Sequence, residues 1–247
     1  MKCYKFDLKN KNCTLEAFIP ENFRHGKYEK RPAMLVIPGG GYYCCSDREG
    51  EPVALAYTGK GYCSFVLKYS VGKGAACFPN PLNDANEAME IIRFHCKEWD
   101  IDENKIAAIG FSAGGHLCAA LGIMGKIKPN AILLGYPCID EERCVDLCEP
   151  QPALDDKVNS DSAPAFIFSS AEDDNVPIKN SLKLALAYDK SHVPFEMHIF
   201  SKGYHGFSLA NELVYEKTQH IDYSAHLQPW FELSVTWLKK IFYDEEI

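Results

Sequence analysis

The sequence lacks long hydrophobic runs and concentrated positive charge. Its longest apolar stretches, such as the one that begins at Ala33, fall well short of the roughly 20 residues that a membrane-spanning helix requires. The 26 lysines and arginines are scattered and are outnumbered by 34 aspartates and glutamates, which gives a formal net charge of -8. Nucleic acids and membranes are therefore not expected as partners. Residues 1–13 contain no apolar segment of the kind that directs export, so a cytoplasmic location is predicted.

Paired cysteine motifs are also absent. The eleven cysteines are odd in number and include no C-x-x-C, so a disulfide framework is not indicated. We expect reduced thiols that pack as small apolar side chains. Cys144 and Cys148, with Asp140 nearby, are an alternative metal site, but no histidine or second cysteine pair joins them, and a surface segment that carries thiols is favoured.

The chain does contain regular alternation of strand-like and helix-like segments. With 247 residues and 47% hydrophobic content, it has an ordinary length for one α/β domain, here 1–247. Period-2 alternation in 2–8 and 13–19 predicts an opening antiparallel hairpin. Later segments alternate between apolar strands and amphipathic helices, which predicts a mostly parallel sheet with helices on both faces. Residues 140–162 are polar and acidic, and they are predicted to form a small lid or loop insertion.

One predicted strand is followed by small residues around a serine. Gly110 and Gly114 flank Ser112 with the G-x-S-x-G spacing of a nucleophile elbow, a tight turn that exposes the serine hydroxyl. Other predicted strands end at a glycine loop, at an acidic run and at a histidine; these are Gly39-Gly40-Gly41, Glu172-Asp173-Asp174 and His205. Because parallel strands present their carboxyl ends at one edge of a sheet, we expect these groups to lie together.

These residue types are the ones that ester cleavage needs. A serine hydroxyl is a weak nucleophile, so a histidine must take its proton and return it to the leaving alcohol. A carboxylate on the far side of the imidazole fixes its tautomer. The backbone amides of Gly40, Gly41 and Ala113 can stabilise the oxyanion that forms.

Four stretches resemble a known family. "PGGGYYCCSDREGEPVALAY", "GFSAGGHLCAALG", "SAEDDNVPIKNSLKLALAY" and "FSKGYHGFSLA" are similar, in this order, to small esterases of the α/β hydrolases, of the hormone-sensitive-lipase-like and carbohydrate-acetylesterase (acetyl xylan esterase-like) kind. The resemblance implies an α/β-hydrolase fold with an eight-stranded sheet whose second strand is antiparallel. It also implies cleavage of short acyl esters without a metal or organic cofactor. Pro38 stands where many relatives have the histidine of His-Gly-Gly-Gly, so one side chain that helps to order the loop is missing.

The resemblance orders the candidates for the histidine and the acid. The family's Asp-x-x-Val-Pro ending matches at Asp173, with Asp174 and then Asp140 as alternatives. His205, in a glycine-flanked loop after the last strand, is the predicted base. His116, on the helix behind Ser112, is expected to be structural.

Several aromatic side chains are candidate walls of the substrate pocket, with ordinary packing as the alternative for each. They are Tyr42 and Tyr43 after the glycine loop, Tyr136, and Phe207. An aromatic face would suit a pyranose ring. Residues 47–49, which read Asp-Arg-Glu, are expected either to tie this loop by ion pairs or to form a solvated turn.

The predicted function is that of a serine carboxylesterase that works through an acyl-enzyme formed on Ser112. The expected substrates are small esters with short acyl groups, and acetylated xylan-derived oligosaccharides are the family-level expectation. A peptidase or amidase on the same scaffold, and a binding protein without activity, are the alternatives. Apolar residues on the last helix, Trp230, Phe231 and Trp237, permit a homodimer.

Overall fold

The computed structural model describes residues 1–21, 29–140, 151–214 and 225–244. Eight strands are present in these ranges: β1 Lys2–Asp7, β2 Thr14–Ile19, β3 Arg31–Ile37, β4 Cys63–Lys68, β5 Ile101–Phe111, β6 Ala131–Gly135, β7 Ala165–Ser170 and β8 Phe195–Phe200. Five α-helices accompany them: α1 Glu51–Gly59, α2 Asn80–Phe94, α3 Ala113–Met124, α4 Lys179–Lys190 and α5 Pro229–Tyr243.

The strands form one mostly parallel sheet in the order β1-β2-β4-β3-β5-β6-β7-β8. β2 runs antiparallel to both β1 and β4, and every other neighbouring pair is parallel. The predicted hairpin and the eight-stranded sheet are therefore confirmed. β3 from Ala33 onward and all of β6 are uninterrupted buried runs because both faces of a central parallel strand are covered.

Helices cover both faces of the sheet, as predicted. Apolar residues of α2, α3 and α4 contribute to one buried cluster, and those of α1 and α5 contribute to the other. This arrangement leaves the carboxyl edge of the parallel strands, where the loops after β3, β5, β7 and β8 emerge, for the functional groups.

Two of the three apolar residues on α5 that permit a homodimer are buried, and the dimer itself stays a prediction. Trp230 is fully buried and stacks on Phe168 with ring centroids 4.2 Å apart. Trp237 is also buried and packs near Phe166. These tryptophans complete the core of the chain itself, so they offer no apolar surface to a second copy.

The expectation that all cysteines are reduced is wrong at Cys77, which is disulfide-bonded. The eight other cysteines among the described residues carry reduced thiols. A disulfide is uncommon in a reducing compartment, so the cytoplasmic location loses the support that reduced thiols would give and stays a prediction. No helix among the described residues is long and apolar enough to cross a membrane.

The predicted lid is described only in part. Residues 141–150, which include Cys144 and Cys148, lie outside the described residues. The remainder, 151–162, packs onto the core, because Leu154 is fully buried and the buried Gln151 donates its side-chain amide to the carbonyl of Ala76 over 2.8 Å.

Candidate active site

Ser112 occupies a strained turn between β5 and α3. Its backbone angles are φ 53° and ψ −119°, a conformation that non-glycine residues rarely adopt. The surroundings hold it there, because its N–H donates to the carbonyl of Gly135 over 3.0 Å and its own carbonyl accepts the amides of His116 and Cys138. The turn ends β5 and starts α3 at once, which leaves the hydroxyl at the carboxyl edge of the sheet.

The glycines on either side of Ser112 allow backbones to touch. A Cβ at Gly110 would lie 2.1 Å from the carbonyl oxygen of Gly114. A Cβ at Gly114 would lie 2.2 Å from the carbonyl oxygen of Ile37, at the end of β3. Both approaches are possible only without a side chain, so the G-x-S-x-G spacing reflects packing of the turn against its neighbours.

A continuous chain of hydrogen bonds joins Ser112, His205 and Asp173. His205 lies in the loop after β8, and its Nε2 is 2.8 Å from Ser112 Oγ. Its Nδ1 is 2.7 Å from Asp173 Oδ2. The imidazole is mostly buried and the Asp173 carboxylate is almost wholly so. These three side chains lie in loops that are far apart in the sequence, and they meet at one edge of the sheet.

The loop after β7 gives Asp173 a second set of partners. Its Oδ1 accepts the amides of Asn175, over 3.0 Å, and Val176, over 2.8 Å. Each carboxylate oxygen therefore has a donor, and the second oxygen is held toward the imidazole. Asp174 is exposed, and the carboxylate that contacts His205 is that of Asp173.

Asp140 and His116, the remaining candidates for the acid and the base, have structural partners instead. Asp140 forms an ion pair with Lys183 at 3.0 Å, which lowers the pKa of its carboxyl. His116 is buried between the Tyr42 hydroxyl and the carbonyl of Pro152, 2.8 Å from each. Since that carbonyl can only accept, Nε2 carries the proton and Nδ1 accepts from the hydroxyl. Burial lowers the pKa of His116 to about 4.

The glycine loop lies directly beside the serine. A Cβ at Gly39 would come within 3.1 Å of Ser112 Cβ. Gly40 and Gly41 then adopt φ of 121° and 62°, which turns the chain sharply. Among the described residues, neither Gly40 nor Gly41 gives its amide N–H to another group. The loop thus carries two amides that remain available next to the hydroxyl.

Two side chains hold this loop where Pro38 replaces the histidine of many relatives. The hydroxyl of Tyr69 donates to the carbonyl of Pro38 over 2.8 Å. The buried carboxylate of Glu49 accepts the amide of Gly39 over 2.9 Å. Glu49 belongs to a short 3-10 helix over Asp47–Glu49. The sequence suggested ion pairs or a solvated turn here, and no local pattern indicated that Glu49 would be buried.

The four aromatic wall candidates divide into two groups. Tyr42, Tyr136 and Phe207 are buried, at most 1% exposed. The Tyr136 ring packs edge-on against His205, with centroids 5.1 Å apart, and also against Phe207. These three therefore follow the packing alternative and support the site from beneath. Tyr43 is 59% exposed next to the glycine loop, and it is the one of the four that presents its ring to solvent.

The arrangement can carry out nucleophilic acyl chemistry. It provides a hydroxyl in hydrogen-bond contact with an imidazole, a buried carboxylate behind that imidazole, and amide donors close to the hydroxyl. Among the described residues there is no group of three or more histidine, cysteine or acidic side chains arranged to hold a metal ion.

Comparison with known proteins places the chain in a family. The model of the dienelactone hydrolase family matches residues 82–239, and a model described as BD-FAE matches residues 19–128. The structure of MGS-M1, an α/β-hydrolase enzyme from a Medee basin deep-sea metagenome library, is 40% identical and aligns over 98% of both chains with a TM-score of 0.90.

The names of two other relatives state an activity. The acetyl ester-xyloside bifunctional hydrolase of Caldicellulosiruptor lactoaceticus is 31% identical, with a TM-score of 0.80 over 96% of this chain and 91% of that one. An acetylxylan esterase of Xylanibacter ruminicola is 28% identical over 80% of this chain and 44% of its own length. The chain spans less than half the length of the curated relatives it matches. Together with the fold, these matches show that the chain belongs to the dienelactone hydrolase family of the α/β-hydrolase superfamily.

Proposed function

We propose that this protein hydrolyses short acyl esters, above all acetyl esters of carbohydrates, through Ser112, His205 and Asp173. The observation that carries the proposal is the unbroken chain of hydrogen bonds from Ser112 Oγ through both imidazole nitrogens to Asp173, at 2.8 Å and 2.7 Å. A hydroxyl in contact with a base that is itself oriented by a carboxylate is the arrangement that activates a serine.

The acylation half-reaction follows from these contacts. His205 Nε2 accepts the proton of Ser112 Oγ as the oxygen attacks the ester carbonyl carbon. The negative charge moves to the carbonyl oxygen, and the buried Asp173 stabilises the imidazolium that forms. When the tetrahedral intermediate collapses, Nε2–H gives its proton to the leaving alcohol and the acyl group stays on Ser112.

Deacylation repeats the same proton transfers with water. His205 takes a proton from a water molecule, whose oxygen attacks the acyl carbon. Collapse of the second intermediate releases the carboxylic acid, and the imidazolium returns its proton to Ser112 Oγ. The proton transfers of both half-reactions use only Ser112, His205, Asp173 and water.

The amides of Gly40, Gly41 and Ala113 are the proposed oxyanion donors. Ala113 is the first residue of α3, where helix amides point outward and the helix dipole favours negative charge. The uncommitted N–H groups of Gly40 and Gly41 support their part in the proposal. Gly39 is unsuited to this task because its amide already donates to Glu49.

Two observations support an acetylated sugar as the substrate. An acetylxylan esterase and an acetyl ester-xyloside hydrolase are among the relatives, and Tyr43 presents an exposed aromatic ring beside the glycine loop. The apolar face of a pyranose can pack on such a ring. A peptidase or amidase would use the same three side chains, so the choice between these classes depends on the leaving group.

The test combines an acyl series with three classes of leaving group. The wild type and Ser112→Ala are assayed on p-nitrophenyl esters from C2 to C12, on acetylated xylo-oligosaccharides and on aminoacyl p-nitroanilides. We expect acetate to be cleaved fastest among the p-nitrophenyl esters, sugar acetates to be cleaved, anilides to resist, and Ser112→Ala to lose at least about 10³-fold in kcat.

Other outcomes would change the assignment. Full activity in Ser112→Ala would overturn the serine mechanism, and faster cleavage of anilides than of sugar acetates would favour the peptidase alternative. A matched variant tests the sugar contact: Tyr43→Ala is expected to raise KM for acetylated oligosaccharides several-fold while leaving p-nitrophenyl acetate within about twofold. Equal effects on both substrates would remove Tyr43 from the substrate site.

A further inference from the structure

Glu49 is a buried carboxylate that the proposed reaction does not use. Its side chain is one of the few charged groups in the core, with the residue 2% exposed. Oε2 accepts the amide of Gly39 over 2.9 Å, and Oε1 accepts the hydroxyl of Tyr136 over 2.7 Å. Burying a carboxylate costs free energy unless each oxygen is hydrogen-bonded, and here each oxygen has a donor from a different loop.

The contacts continue from Tyr136 to the histidine loop. The oxygen of the Tyr136 hydroxyl accepts the amide of Ser208 over 3.0 Å, three residues beyond His205. The Ser208 hydroxyl returns to the 3-10 helix by donating to the carbonyl of Arg48 over 2.7 Å. Glu49 and its neighbour therefore connect the glycine loop after β3, the end of β6 and the loop that carries His205.

The donors and acceptors fit an ionised glutamate. A backbone amide and a phenol both donate to it, so both carboxylate oxygens act as acceptors. Tyr136 keeps its proton, because burial and the nearby carboxylate raise its pKa well above the ordinary value. A glutamine in the same place would have only one acceptor oxygen for two donors.

We propose that Glu49 is a positioning residue for ester hydrolysis. Its hydrogen bond to the amide of Gly39 fixes the orientation of the amides of Gly40 and Gly41. Through Tyr136 and Ser208, the same carboxylate also holds the loop that carries His205. The inference rests on the proposed function. Glu49 touches no reacting atom, so its effect is on the alignment of the oxyanion donors with the base, where small displacements are costly.

The experiment compares Glu49→Gln with a control at a second buried carboxylate. Asp84 is equally buried and also accepts two hydrogen bonds, from Asn10 Nδ2 and the amide of Ser70, in contacts separate from those of Glu49. For Glu49→Gln we expect kcat on p-nitrophenyl acetate to fall about 10- to 100-fold with KM within about threefold. For Asp84→Asn we expect a loss of Tm with kcat within about twofold.

Coupling to Tyr136 tests the route of the effect. If the two side chains act as one unit, the kcat of Glu49→Gln combined with Tyr136→Phe equals that of Glu49→Gln alone, rather than showing the product of the two single losses. A readout without turnover is amide hydrogen exchange over residues 39–43, which we expect to accelerate in Glu49→Gln and to stay unchanged in Asp84→Asn.

The outcomes separate this inference from the proposed function. A folded Glu49→Gln with wild-type kcat and unchanged exchange over 39–43 would overturn it, and so would losses of kcat in both variants that simply follow their losses of Tm. Independent, multiplicative effects of Glu49→Gln and Tyr136→Phe would overturn the connection to the histidine loop. Activity in Ser112→Ala would instead overturn the proposed function, while hydrogen exchange would still report on Glu49.

Discussion

At the residue scale, the acid of the site is defined by which carboxylate faces the imidazole. Three acidic residues follow β7 in sequence, but only the side chain of Asp173 turns back toward His205. Its other oxygen is held by two backbone amides. Asparagine at this position can keep those two contacts through its carbonyl oxygen and would then present an NH₂ group to His205 Nδ1.

Asp173→Asn is therefore expected to fold normally and to lose about 10³- to 10⁴-fold in kcat. An NH₂ donor forces Nδ1 to accept, which places the proton on Nε2 and leaves Ser112 without a base. Asp174→Asn changes an exposed carboxylate one position along and should stay within about twofold of the wild type. The measurement is kcat on p-nitrophenyl acetate for both variants. Comparable losses in the two would contradict the assignment of Asp173.

At the element scale, the start of α3 packs directly against the end of β3. Gly114→Ala would place a Cβ 2.2 Å from the carbonyl oxygen of Ile37 and 2.3 Å from that of Pro38. The backbone at these two residues cannot shift without a cost in stability. We expect a loss of about 2 kcal/mol or more in stability and more than a tenfold drop in kcat, because α3 would shift away from the glycine loop.

The matched control for Gly114→Ala is Gly59→Ala. Gly59 is the last residue of α1, and a Cβ there would meet nothing within 4 Å. Alanine favours the helix, so this variant should keep wild-type kcat and have an equal or slightly higher Tm. Thermal melts and kcat of the two variants provide the comparison. If Gly114→Ala matched the control, close packing at the elbow would not be the reason for its glycine.

Most elements could be predicted because their patterns are local. The apolar run of β3 and the small residues around Ser112 can each be recognised from adjacent residues alone. The start of β5, at Ile101, could not be predicted because residues 102–105 are polar. The first part of this strand pairs with β3 only through Arg31 opposite Ile101, before a shift in register.

The support around the site could not be predicted, because it depends on contacts between distant residues. Tyr136 and Tyr43 both follow functional segments, and a pocket wall or ordinary packing was open for each, yet Tyr136 is buried and Tyr43 is exposed. The bond from Tyr136 to Glu49 joins positions 87 residues apart. Periodicity carries no information on such a pairing, whereas the loops at the strand ends follow from the topology of a parallel sheet.

At the scale of the whole molecule, stability should depend on pH through His116. Its folded-state pKa of about 4 lies below the ordinary value of 6.5, so the unfolded chain takes up a proton first as the pH falls. Above pH 6.5 both states carry the neutral ring and the contribution is constant. Between pH 6.5 and about 4 the unfolded state binds more protons, and the free energy of unfolding decreases.

His116→Gln isolates the contribution of this titration to stability, because glutamine can donate to the Pro152 carbonyl and accept from the Tyr42 hydroxyl without titrating. We expect the stability advantage of the wild type over the variant to shrink by about 2 kcal/mol between pH 7 and pH 5. Carboxylates common to both proteins cancel in this difference. Urea unfolding at several pH values measures it, with the interval from pH 7 to 8 as an internal control where the difference should stay constant. A difference that is equally constant from pH 7 to 5 would mean that His116 accepts a proton in the folded protein as readily as in the unfolded chain, and that its buried hydrogen bonds do not hold the ring neutral.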